Sequence, residues 1–194
     1  MLNFPSIRAF VHRAEWATMK RLFATSRYSA ATASLPPLMD EGGTVIEPDT
    51  IFNRLSNKRV AFYFAAGWCP MCTSFEPSLL KFREEAVKSD KPVEIIYVPS
   101  DRSASDQVKR AAAMGMLSVP FGKDADDLKT KHKVWSGSEA VKLGFGRRSG
   151  VPALVVLDGE NGEELAFIAA ESQGVRSLSS WPLDDERGIW MAFR

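Results

Sequence analysis

The chain has little cysteine and little histidine, with two of each among its 194 residues. The cysteines are Cys69 and Cys72, and the histidines are His12 and His132. A structural zinc site built on a Cys-x-x-Cys pair needs a second pair of Cys or His ligands, and the two histidines lie too far apart in sequence to form one. The sequence therefore argues against a metal site and leaves the two thiols to redox chemistry or to an inert role.

Long apolar runs and a strong charge of one sign are also absent. No uninterrupted apolar stretch approaches the roughly 18 residues of a membrane-spanning helix. The composition, 45% hydrophobic and 25% charged with a net charge of +1, is that of an ordinary globular protein. No basic groove with interleaved aromatic residues is visible. We therefore predict neither a membrane nor a nucleic-acid partner.

Residues 1–35 differ from the rest in charge. They hold five of the 25 basic residues and one of the 24 acidic ones, which leaves 20 against 23 in the remainder. Apolar residues recur among the basic ones at loosely helical spacing, and a Ser/Thr/Ala-rich stretch follows. This pattern predicts an organelle targeting peptide, mitochondrial in view of the Arg-Leu-Phe-Ala segment at 21–24, with a plastid as the alternative. A disordered or amphipathic N-terminus of a cytoplasmic protein is the other interpretation.

The two prolines at 36 and 37 break any helix and mark the predicted start of a domain that covers residues 36–194. Within it, strand-like and helical patterns alternate. The order predicts an α/β domain with a partly parallel central sheet joined by right-handed crossovers. The predicted strands are 59–65 and 93–98, the predicted helices are 47–55, 70–87 and 101–114, and an antiparallel hairpin is predicted over 153–168.

Cys69 and Cys72 follow the first apolar strand directly and open a predicted helix. Unpaired backbone N–H groups and the positive end of the helix dipole favour a thiolate at this place. The spacing lets the second thiol reach back and attack a mixed disulfide formed on the first. We therefore predict that Cys69 is a nucleophile and that the pair transfers two electrons.

Several motifs together resemble the thioredoxin superfamily, and within it the tryparedoxin and nucleoredoxin group. The resemblance covers roughly residues 40–182 and implies a thioredoxin-like fold, an α/β architecture with a central mixed β-sheet flanked by helices. It is carried by Phe62-Tyr63-Phe64 before Trp68-Cys69-Pro70-x-Cys72, by Phe75-Glu76-Pro77, by Tyr97-Val98-Pro99-Ser100-Asp101, by Val119-Pro120-Phe121 and by Gly150-Val151-Pro152 before an apolar strand.

The resemblance assigns roles to individual residues. It implies that Cys69 is the attacking thiolate and Cys72 the resolving thiol. It further implies that the substrate is bound by Trp68, Pro70, Val151 and Pro152. Pro152 would be a cis-proline that exposes the backbone of Val151 as a pairing edge for an extended substrate chain. The alternatives are an ordinary strand-entry proline and, for Trp68, simple packing.

Three features depart from the thioredoxin pattern. Tyr63 stands where thioredoxins proper carry a buried acid, so proton transfer must use another group; Glu76, Lys81 or water would serve, although a solvent-exposed Glu76 is the simpler expectation. Met71 replaces the second proline of the group's Pro-Pro turn, which predicts a shifted redox potential. Residues 132–148 look like an inserted loop. Its cations either select an acidic partner or form a solvated surface, and we favour the solvated surface.

The predicted function is that of a thiol–disulfide oxidoreductase, and more specifically a protein-disulfide reductase. Expected partners are disulfide-bearing client proteins and a thiol electron donor, either a thioredoxin reductase or a glutathione-like system. No cofactor is expected beyond the Cys69–Cys72 redox couple, because the glycines at 144–150 do not form a dinucleotide fingerprint. The alternative is a non-enzymatic redox sensor or partner-binding module, and a peroxidase ranks below both.

Overall fold

The computed structural model describes residues 30–190, and a five-stranded mixed sheet forms their centre. The strands follow the sheet order β3-β2-β1-β4-β5. Strands β1, β2 and β3 are parallel, whereas β4 runs antiparallel to β1 and β5 antiparallel to β4. Their bounds are β1 Arg59–Ala65, β2 Val93–Pro99, β3 Leu117–Ser118, β4 Ala153–Leu157 and β5 Glu164–Ile168.

Helices cover the sheet and connect its strands. The α-helices are α1 Ala30–Ala33, α2 Pro48–Leu55, α3 Pro70–Lys88, α4 Ala104–Met114, α5 Lys123–His132, α6 Ala140–Leu143 and α7 Ala170–Gln173. Short 3-10 helices span Gly137–Glu139, Gly174–Ser180 and Glu186–Gly188. Among residues 30–190, no helix has the length and apolar character that crossing a membrane requires.

Strand β1 is the middle of the sheet and the centre of the core. Every residue of β1, β2 and β4 is buried, as expected of strands that are covered on both faces. The carboxyl ends of β1, β2 and β3 and the amino end of β4 meet at one edge of the sheet, since β4 runs in the opposite direction. This edge carries the Cys-x-x-Cys segment.

The predicted mixed α/β sheet is confirmed, together with the strands and helices that have clear hydrophobic patterns. The prediction lacks five elements: α1, β3, α5, α6 and α7. Strand β3 is two residues long, and α5 is a polar helix with few buried apolar residues. The prediction of a loop over 131–148 is partly wrong. This segment holds the end of α5, a 3-10 turn and α6.

The predicted targeting peptide falls almost wholly outside the described residues and stays a prediction. Within the described chain, Ala31 is fully buried, and its backbone N–H donates to the Glu160 carbonyl at 3.2 Å. The packed chain therefore reaches back to the short helix α1, ahead of the two prolines that mark the predicted start of the domain.

Candidate functional site

Cys69 is the N-cap residue of α3. Its backbone is extended, and its sulfur accepts a hydrogen bond from the Cys72 backbone N–H at 3.4 Å. A side chain at this position satisfies one of the otherwise unpaired N–H groups of the first turn, and the helix dipole favours negative charge there. Only 6% of the Cys69 surface is exposed. The sulfur thus lies at the sheet edge, at the start of the helix.

Cys72 lies three residues further into the helix and is fully buried. Both cysteines are free thiols in this structure. Burial raises the pKa of the Cys72 thiol well above its ordinary value, and a hydrogen bond with Cys69 adds to the rise. Cys72 is therefore the protonated and protected member of the pair.

The start of β4 faces the thiols. The Cys69 Sγ lies 3.7 Å from the carbonyl oxygen of Val151, and the Val151–Pro152 peptide bond is cis. The Glu171 carboxylate holds the segment before Val151 in place, because it accepts a hydrogen bond from the Gly150 backbone N–H at 2.5 Å. The structure therefore brings Val151 and Pro152 against Cys69, as the sequence analysis expected.

Trp68 borders the thiols on the other side. It is 39% exposed, its indole N–H donates to the Ser100 carbonyl at 2.9 Å, and the Arg102 guanidinium lies 5.7 Å from its ring centre.

Pro70 is exposed at the first position of α3, where the missing N–H of proline removes no hydrogen bond of the helix. An open cleft beside Trp68 is lined by Gly67, Asp101, Arg102, Asp106, Lys109 and Arg110.

Asp101 is a part of this site to which the sequence pattern assigns no functional role. Ser103 is the N-cap of α4, while the Asp101 carboxylate accepts from the Gly67 backbone N–H at 2.7 Å and from the Tyr97 hydroxyl at 2.5 Å. Burial raises the pKa of Asp101 above its usual range. Asp101 thereby anchors the turn that leads into Trp68 and Cys69.

Tyr63 lies in the core beneath the thiols. It is fully buried, and among the described residues its hydroxyl has no hydrogen-bond partner. Burial raises the pKa of Tyr63 far above its ordinary value, with Cys72 as the next contributor, so the phenol stays neutral. It has no means of replacing the buried acid of thioredoxins as a proton acceptor near neutral pH.

The Tyr63→Phe variant is expected to be as stable as the wild type or slightly more so. Removing an unpaired buried hydroxyl relieves a desolvation cost, so we expect the free energy of unfolding to rise by up to about 1 kcal/mol. Urea unfolding followed by tryptophan fluorescence measures this. A loss of stability greater than about 1 kcal/mol would contradict the interpretation and reveal a bound partner for the hydroxyl.

Glu76 corrects one expectation of the sequence analysis. It is only 6% exposed rather than solvated, and the Arg110 Nε–H donates to its Oε1 at 3.0 Å. A second contact joins Arg110 Nη2 to Glu76 Oε2. The helix that carries the thiols therefore has a buried ion pair one turn beyond Cys72.

Three cations of the 132–148 loop are paired within the chain. Lys142 contacts Asp126, Arg147 lies 3.8 Å from Glu171, and Arg148 lies 2.6 Å from Glu164. This arrangement agrees with the solvated-surface interpretation. The loop also packs through Trp135, whose indole N–H donates to the Gly144 carbonyl.

Metal ligation has no support among residues 30–190, where no group of three or more His, Cys, Asp or Glu side chains is placed to hold an ion. His132 lies against Phe62 and Phe64, with its Nδ1 3.5 Å from Glu164. Burial lowers the pKa of His132. His12 lies outside the described residues.

Comparison with known proteins agrees with this geometry. A family model described as thioredoxin-like matches residues 57–164. The chain is 26% identical to probable nucleoredoxin 1 of Arabidopsis thaliana over 147 residues, which are 76% of this chain and 22% of that protein. It is 30% identical to nucleoredoxin of Bos taurus over 122 residues, which are 63% of this chain and 24% of that protein. The chain thus spans about a quarter of the length of these curated relatives.

Among solved structures, tryparedoxin I from Leishmania major superposes with a TM-score of 0.54 at 28% identity and covers 78% of this chain and 93% of that one. The family model covers more than half of the chain. The chain is similar in sequence to nucleoredoxins and in structure to tryparedoxins. The chain belongs to the thioredoxin-like family, in its tryparedoxin and nucleoredoxin group.

Proposed function

We propose that the protein is a thiol–disulfide oxidoreductase that reduces disulfides of client proteins. The observation that carries the proposal is that two thiols with different surroundings lie at the start of the same helix. Cys69 is held at the N-cap at the sheet edge, and Cys72 is buried with a raised pKa. Such an arrangement separates an attacking thiol from a resolving one.

In the first step, the Cys69 thiolate attacks one sulfur of a client disulfide, and the other client sulfur leaves as a thiolate that takes up a proton. Cys72 then attacks Cys69 and releases the second client thiol. The carbonyl of Val151, 3.7 Å from the Cys69 sulfur, marks the edge along which an extended client segment would lie. Trp68 and Pro70 flank the same sulfur from the helix side.

Reduction is the proposed direction. The potentials of such couples run from about −270 to −120 mV, so the Cys-x-x-Cys motif alone does not fix the direction. The tryparedoxin and nucleoredoxin resemblance favours a reductant that is recharged by a thiol donor, either a thioredoxin reductase or a glutathione-like system. We further propose a mitochondrial location. It depends on the predicted targeting peptide of residues 1–35, most of which lie outside the described part of the chain.

A Cys72→Ser variant tests the proposal directly. Without the resolving thiol, the mixed disulfide on Cys69 persists, so we expect several client proteins to be captured covalently and released by dithiothreitol. Non-reducing electrophoresis and mass spectrometry of a matched extract measure this, and the Cys69→Ser/Cys72→Ser double variant serves as the control. Association with a single non-covalent partner, dependent on oxidation state and without client turnover, would contradict catalysis and establish the sensor or binding module instead.

A further inference from the structure

Glu76 and Cys72 lie on the same buried face of α3. They are four positions apart, so their side chains are neighbours on one side of the helix. Cys72 is fully buried, and Glu76 is 6% exposed. A carboxylate in such a place needs a cation partner, because an unpaired buried charge is costly.

Arg110 provides that cation from α4. Its Nε–H donates to Glu76 Oε1 at 3.0 Å, and its Nη2 contacts Oε2. The side chain passes beside Gly67, where an added Cβ would lie 3.7 Å from the Arg110 Cδ. The guanidinium therefore lies between the helix that carries the thiols and the turn that leads into Trp68.

Besides Glu76 and Cys69, the described ionisable groups around Cys72 include two neutral tyrosines and one carboxylate. Tyr63 from β1 and Tyr97 from β2 both have their pKa raised, primarily by burial. The Asp101 carboxylate, just beyond β2, is bonded to the Tyr97 hydroxyl and not to either thiol. Arg110 lowers the pKa of both Cys72 and Tyr63, against the larger effect of burial. Through its contact with Glu76, Arg110 thus brings a positive charge to the buried face of α3 that carries Cys72.

We propose that Arg110 is a positioning residue for the second half of the reaction: held by Glu76, its charge stabilises the Cys72 thiolate at the moment when that thiol must attack. This inference rests on the proposed function and refines it. With a neutral tyrosine at position 63, that place in β1 holds no acid to serve this step, and Arg110, held by Glu76, takes over the electrostatic part of the task.

In the mixed disulfide, Cys69 is bonded to a client sulfur. The Cys72 thiol gives its proton to a water or buffer base, and the thiolate attacks the Cys69 sulfur. A Cys69–Cys72 bond forms as the bond from Cys69 to the client breaks. The client sulfur leaves as a thiolate and takes up a proton, so the two electrons of the protein dithiol end on the client.

The test follows the reaction of the full, reduced chain with a chromogenic aromatic disulfide in stopped flow. The first release of coloured thiolate reports attack by Cys69 and depends on reagent concentration. The second reports attack by Cys72 within the mixed disulfide and does not. Because burial raises the pKa of Cys72, the rate of the second phase climbs with pH through the accessible range. It is measured from pH 5 to pH 10, and the midpoint of a variant is defined as the pH at which its rate equals the wild-type rate at pH 8.

Arg110→Gln is expected to move this midpoint upward by about one pH unit. A neighbouring positive charge lowers the pKa of a thiol by an amount of that order, and the variant removes it. At neutral pH the second phase then slows roughly tenfold, while the first phase changes by less than about twofold. Arg110→Lys keeps the charge and is expected to retain the wild-type midpoint. Glu76→Gln keeps an acceptor for Arg110 but removes the opposing charge, so its midpoint is expected to move downward.

The three variants separate electrostatics from mere packing. Unfolding by urea is measured for each, and only folded protein enters the kinetics. An unchanged midpoint in Arg110→Gln, an equal shift in Arg110→Lys, or an upward shift in Glu76→Gln would each overturn the inference. A wild-type chain that shows no second phase would overturn the proposed function itself, which is a distinct result.

Discussion

Cys69→Ser is expected to abolish disulfide reduction completely, leaving only the background rate of the buffer thiol. A serine hydroxyl is not ionised near neutral pH and forms no disulfide with Cys72, so neither the attack nor the two-electron transfer is possible. Reduction of insulin disulfides, with dithiothreitol as the electron source, measures this. Residual catalysis above about a tenth of the wild-type rate would contradict the role of Cys69 as the nucleophile.

The stability of the Cys69→Ser variant serves as the control for its loss of activity. Serine is a favoured N-cap residue, and its oxygen is placed to accept the Cys72 N–H that the Cys69 sulfur now accepts at 3.4 Å. We therefore expect the free energy of unfolding of reduced protein to stay within about 0.5 kcal/mol of the wild type. Lost activity with retained stability would assign the effect to chemistry rather than to folding.

Phe64→Ala is expected to lower the free energy of unfolding by about 3–5 kcal/mol, the usual cost of emptying a buried phenylalanine site. Phe64 is fully buried in β1, where its ring meets Phe62 edge-on at 6.4 Å between centroids and lies 5.9 Å from that of His132. Small domains are stable by only about 5–15 kcal/mol, so this loss would be a large share of the total. Urea unfolding at equilibrium measures it.

Phe145→Ala is the matched control because it removes the same atoms from an exposed site. Phe145 is 90% exposed on the 132–148 loop, so no cavity forms and the change is expected to stay within about 0.5 kcal/mol. A comparable loss in both variants would show that β1 is not the centre of the core. A loss in Phe64→Ala alone would confirm the packing described here.

The central strands and the helix that carries the thiols were predictable because local pattern and fold agree at these places. After Arg59, strand β1 consists of hydrophobic residues from Val60 to Ala65, as its burial on both faces demands, and the cysteines follow closely. The helix α5 was missed for the opposite reason. Its sequence is dominated by Lys and Asp, and its buried face includes Lys129 and His132 rather than a row of apolar residues.

The chemistry around the thiols was only partly accessible to sequence reasoning. The spacing of Cys69 and Cys72 is local and predicts their relation, but Glu76 meets Arg110 across 34 positions, and no local pattern reports that contact. Asp101 illustrates the same limit. Its place before α4 fits a helix cap, yet its carboxylate bonds to Gly67, also 34 positions away, because the ends of two neighbouring strands meet at that edge.

The most direct test of the account is the equilibrium redox titration of the Cys69/Cys72 couple in the full chain, against glutathione and dithiothreitol, with Trp68 fluorescence as the reporter. We expect one reversible two-electron transition with a potential near or below about −250 mV, as a disulfide reductase fed by a thiol donor requires. A value near about −150 mV would contradict the reductive direction and indicate an oxidant or isomerase. Failure to form any bridge between the two cysteines would contradict the catalytic account as a whole.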